Sequence, residues 1–142
     1  DNNFQEHILE GGILCFPALW TLNEKINKPL SRIHKPVEQY NEKITKSVQR
    51  MFNNLKVDKP IWRANWYLYK DPELFSPLSE KFSHTTEKKY FEGDFWLRVE
   101  RQTLKRLPET NAIVFGIHTY VVNKKQLTLK QITSLKNYSL NK

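Results

Sequence analysis

Two strand-like runs flank Pro108-Glu109-Thr110-Asn111, and this arrangement constrains the fold more than any other feature of the chain. Downstream, Ala112 to Val122 is dense in β-branched and aromatic residues, which fit a pleated surface. Upstream, Leu97 to Leu107 mixes helix-forming residues with apolar positions that follow neither helical nor strand period. The four-residue loop decides for two antiparallel strands. If Leu107 faces Ala112, then Arg101 faces His118, Thr103 faces Gly116 and Val99 faces Tyr120. Leu104, Ile113, Phe115, Ile117 and Val121 then share the other face. One face is apolar, and the other carries polar groups beside a glycine. A glycine inside a strand marks close approach of a ligand or another backbone; the alternative is an edge glycine next to a surface histidine.

The same periodicity places other elements. Ile61 to Lys70 alternates, with Trp62, Ala64, Trp66 and Leu68 on one face and Arg63, Asn65, Tyr67 and Tyr69 on the other. Val37, Tyr40, Ile44, Val48, Met51, Phe52 and Leu55 recur at steps of three and four, which predicts an amphipathic helix opened by Pro36, with Glu38 near its positive end. Gly11-Gly12 followed by Ile13 to Phe16 reads as a turn and a short strand ended by Pro17. Thr21-Leu22-Asn23-Glu24 matches a capping box and opens a short helix over Leu22 to Asn27. Leu129 to Tyr138 reads as a terminal helix, and Asp71 to Gly93 as a long loop. The expected class is α+β.

Length and charge bound the function. The 142 residues fit one domain spanning 1–142. Cys15 stands alone, so no internal disulfide is possible, and its apolar neighbours predict a buried thiol. A formal net charge of +8 favours anionic partners or reflects a lysine coat. Nucleic acid is not expected as a partner, because no helix carries a dense basic stripe and no RNA-binding signature is present. No apolar run nears the ~20 residues of a membrane span, and no export signal opens the chain, so a cytoplasmic location is expected. Neither a His-Glu-x-x-His zinc motif nor a Gly-x-Gly-x-x-Gly dinucleotide motif occurs.

Four blocks in order carry a resemblance: Phe16-Pro17-Ala18-Leu19-Trp20, Leu30 to Tyr40 (LSRIHKPVEQY), Trp62-Arg63-Ala64-Asn65-Trp66, and Leu97 to Tyr120 (LRVERQTLKRLPETNAIVFGIHTY). Together they resemble the haem-dependent oxidative N-demethylase alpha-subunit-like family over most of Gly11 to Tyr120. The chain departs from the pattern at Pro36-Val37-Glu38, where the family often has a second proline, and it is expected to begin inside the family's domain. The resemblance implies a PAS-like antiparallel sheet with helices on one flank and haem as the cofactor. It also implies oxidative demethylation of a small secondary amine, such as dimethylamine, with dioxygen. Electrons would come from a reductase subunit or domain, since the chain has no flavin or dinucleotide motif and too few cysteines for an iron–sulfur cluster. A rival within the same fold is a non-catalytic haem-binding PAS-like sensor or interaction domain.

The resemblance also distributes roles. An axial iron ligand is most often histidine. His34, between prolines and an aliphatic pair, is preferred to His118 in the hairpin; His7 and His84 sit in polar stretches. Arg63, Arg98 and Arg101 are expected on strands, where their planar forks suit haem propionates, and Gly116 is expected in the pocket floor. Glu100 is the expected base for a protonated amine, with Tyr120 and Trp66 lining its site.

Overall fold

The computed structural model describes residues 6–37, 40–78 and 93–140; His84 and Glu38 lie outside them. Three strands, β1 (Ile61–Tyr69), β2 (Trp96–Arg106) and β3 (Ile113–Asn123), form an antiparallel sheet in the order β1-β2-β3. The helices are α1 (Leu22–Lys25), α2 (Leu30–Ile33), α3 (Glu42–Asn54) and α4 (Leu129–Leu140), so the class is α+β.

The hairpin register is the expected one. Arg101 pairs with His118, Thr103 with Gly116 and Val99 with Tyr120. The Leu107 amide donates to Ala112 O at 2.9 Å, and Asn111 takes a left-handed φ of 57°, which its short polar side chain tolerates. β1 pairs Trp62 with Thr103, Ala64 with Arg101 and Trp66 with Val99. Paired residues share a face. Trp62, Ala64, Trp66, Leu97, Val99, Arg101, Thr103, Lys105, Gly116, His118 and Tyr120 therefore stand on one face. Arg63, Tyr67, Tyr69, Arg98, Glu100, Gln102, Leu104, Arg106, Phe115 and Ile117 stand on the other. The face expected to be apolar thus holds the most buried charge among the described residues.

That charge, Arg98, is 2 % exposed and anchors the layer above it. Its Nε donates to Glu100 Oε1 (3.2 Å), Nη1 to Leu74 O (3.1 Å) and Nη2 to Phe16 O (2.8 Å). The two loop segments it grips are also joined to each other: Ala18 bridges Ser76, and Leu19 N donates to Ser76 O at 2.8 Å. Arg106, further along the same face, donates to Leu55 O (2.7 Å), Phe52 O (2.6 Å) and Asn111 O (2.7 Å). A cation here satisfies carbonyls left open at the C-terminus of α3 and complements the helix dipole. α4 reaches the opposite face at β1, where Tyr138 meets Trp66 with ring centroids 5.6 Å apart. Helices therefore contact both faces, rather than the one flank expected.

Local differences have local causes. α3 starts after Asn41, whose Oδ1 accepts from Ile44 N at 3.1 Å; a capping side chain outweighs Pro36 as the start signal. Ile13 to Phe16 forms no strand, and Ile13 is 94 % exposed, with no ladder partner among the described residues. Cys15, in the same segment, is exposed, not buried. α1 stops at Lys25, short of Asn27, which adopts φ 57°. Thr21 Oγ1 donates to the Glu24 carboxylate at 2.9 Å instead of completing a backbone cap.

Candidate functional site

The residues expected to build one site fall into two groups on opposite sides of the sheet. The first surrounds His34, just after α2. Its Nδ1 hydrogen-bonds Leu30 O at 2.8 Å, and its ring stacks on Tyr40 with centroids 4.4 Å apart and planes 13° off parallel. A carbonyl accepts only from N–H, so the neutral ring carries its proton on Nδ1 and leaves Nε2 as a lone-pair donor. The half-buried imidazole has a lowered pKa, first because burial disfavours the cation; the Leu30 carbonyl opposes this, and the charges of Lys25 and Arg63 reinforce it. Tyr40 was legible only as part of a helical stripe. It stands before α3, and its stacking on a histidine six positions upstream leaves no periodic signal. Burial raises the Tyr40 phenol pKa, and the Glu6 carboxylate adds to this. Beside this group, Glu6, Ser31, Glu42, Thr45 and Lys46 line an open crevice of about 360 Å³. Glu6 Oε2 accepts from Ser31 N at 2.9 Å there.

Arg63 stands on the same side of the sheet. Its Nε donates to Gln102 Oε1 at 2.9 Å. Arg98 and Glu100 also stand on this side but are engaged with each other, and Arg98 with two further carbonyls. Glu100 is 9 % exposed, and its Oε1 is occupied by the buried Arg98 guanidinium at 3.2 Å.

The second group is on the opposite face. His118 pairs with Arg101, and its ring rests on Tyr120 with centroids 4.5 Å apart. Gly116 lies two residues away across from Thr103, and Thr103 also faces Trp62 on β1. Trp62 is 70 % exposed and Tyr120 45 %. Trp62 was not among the expected site residues; in the sequence it stands in the alternating strand and in the Trp62-Arg63-Ala64-Asn65-Trp66 block. The structure brings Arg101, Gly116, His118 and Tyr120 together, and separates them from His34, Arg63 and Glu100. Glu100 and Tyr120, expected to act as a pair, project to opposite faces.

Among the described residues, no group of three or more metal-ligating side chains clusters, and no helix is long and apolar enough to cross a membrane. Residues 1–137 match the model of the family described as haem-dependent oxidative N-demethylase, alpha subunit-like; the chain belongs to that family.

Proposed function

We propose that this chain holds haem through His34 and serves oxidative N-demethylation of a small secondary amine of the dimethylamine type, within a PAS-like fold. The observation that carries this reading is the Nδ1 contact to Leu30 O. Iron-ligating histidines typically donate their other ring N–H to a carbonyl, which fixes the tautomer and the ring plane. His34 meets both conditions, and its lowered pKa keeps the imidazole neutral, the form that binds metal. His118 is exposed and has no such carbonyl contact among the described residues. The reading therefore takes His118 out of the axial role.

Arg63, a neighbour of His34 with its terminal nitrogens beyond the Gln102 contact, is the proposed propionate partner. When bound, haem supplies dioxygen activation with two electrons from an external reductase; one oxygen atom ends in formaldehyde and the other in water. The chain's residues prepare the amine. A dialkylammonium must lose a proton before its methyl group is oxidised. Glu6, on the His34 side and acting on Tyr40, takes the base role, since Glu100 is engaged by Arg98. The Tyr40 ring offers a face to the cation.

The test is haem reconstitution of the wild type, His34→Ala and His118→Ala. The expected outcome is a Soret band lost or shifted only in His34→Ala. Formaldehyde release from dimethylamine with a chemical reductant follows the same ranking, and Glu6→Gln lowers turnover while the spectrum stays intact. Full haem retention in His34→Ala would remove the reading; haem retention without turnover in the wild type would leave a haem-binding sensor domain.

A further inference from the structure

We infer that the open face of the sheet is a second ligand site, distinct from the His34 group, that takes a small planar aromatic anion of the nucleotide type.

Gly116 is the starting point. A glycine in mid-strand weakens the strand, so it needs a reason. It does not adopt a positive φ, and a Cβ built on it would meet nothing within 4 Å. Neither turn geometry nor the approach of another described backbone requires it. Its effect is to leave a trough. Thr103 and Gly116 follow Trp62 in one cross-strand row, and Ala64, Arg101 and His118 form the next. Thr103 and Gly116 keep the trough's first row low beside Trp62, and Ala64, Arg101 and His118 border it in the next row, with Tyr120 beyond His118. A planar ring that stacks on Trp62 fits above it, since stacking uses the π-face without directional demands.

Arg101 gives the ligand its sign. Arg98 and Arg106 spend all three of their nitrogens on the protein, Arg98 on Glu100, Leu74 and Phe16 and Arg106 on Leu55, Phe52 and Asn111, while Arg63, on the other face, gives its Nε to Gln102. Arg101 makes no side-chain hydrogen bond or ion pair among the described residues and is exposed. Its fork is therefore available for a phosphate. Lys105 shares its face, and the strand residues on that face include no acid. α4, which borders it, contributes Lys130 and Lys136 and also no acid. This uniform charge opposes docking of a second copy through the same face and favours an anion.

The probe is adenosine 5′-monophosphate, followed by the indole N–H resonance of Trp62, which Trp62→Leu identifies. We expect saturable shifts of that signal, with adenosine binding about ten-fold or more weakly for want of the phosphate. Arg101→Gln removes the difference between the two. Gly116→Val, which the open space accommodates, abolishes binding and leaves the fold intact. Equal binding of adenosine, undiminished binding by Gly116→Val, or no shift at Trp62 each overturns the site. So does displacement of the nucleotide by haem, which would make the face part of the haem site. A fifteen-residue thymidine oligonucleotide that binds more than about a hundred-fold tighter than the monophosphate also overturns it, by making the face a single-strand track. A failed His34→Ala test leaves these outcomes untouched, so the two readings fail separately.

Discussion

The two faces of the sheet carry the same residue types and use them oppositely. On the His34 side, Arg98 and Arg106 lie beneath covering segments and each bond three acceptors. On the open side, Arg101 is in water with an unspent fork, beside an exposed tryptophan and a glycine with empty space above it. A guanidinium that satisfies buried carbonyls is part of the fold. One on an open surface costs the fold little to keep and little to lose. The difference teaches that strand position alone does not assign an arginine; what lies above it does.

This contrast can be broken most sharply at Arg98. Arg98→Met leaves Glu100 buried without a partner and strips Phe16 O and Leu74 O of a donor. The expected cost is roughly 3–5 kcal/mol in denaturant unfolding. Arg101→Met should stay within about 0.5 kcal/mol of wild type. Equal costs would erase the distinction between the faces. Arg106→Met is the intermediate case, since α3 keeps its own backbone ladder; a loss of about 1–3 kcal/mol is expected, with earlier hydrogen exchange at the end of α3. Gly116→Val should move stability the other way, by up to ~1 kcal/mol, because a β-branched residue replaces glycine at a site free of strain.

The smallest effect concerns His34 and pH. Its folded pKa lies below 6.5, the ordinary value that the unfolded chain retains. As pH falls below 6.5 the unfolded state binds the proton first, so stability declines until the folded pKa is passed. Above 6.5 the group contributes no slope. His34→Gln should flatten the pH dependence of the thermal melting temperature across that window.

The hairpin was legible because turn length and side-chain alternation are both local, and together they fix register. Pairing Leu107 with Ala112 was enough to set Arg101 against His118 and Thr103 against Gly116. β1 was legible for the same reason. The division of roles was not. Nothing near Arg98 in sequence announces that Phe16 and Leu74 will offer it carbonyls, and nothing near Glu100 announces that a guanidinium will hold it. Cys15 misled because a short apolar run reports composition, not whether a partner strand exists. His34 stood out by its sequence neighbours, whereas its orientation by Leu30 O became visible only once α2 had closed.

The grip of Arg98 also bears on the order in which the chain assembles. Arg98 and Phe16 are 82 residues apart in sequence, whereas the hairpin joins neighbours across a four-residue loop. Closing a short loop is fast, and contacts between distant segments come later. The hairpin can form first, β1 then adds to it, and the clamp that ties the Phe16 and Leu74 segments to the sheet closes last. Interactions made after the rate-limiting step govern how fast a protein comes apart. Arg98 should thus act as a latch: its loss would quicken unfolding while leaving the refolding rate close to that of the wild type.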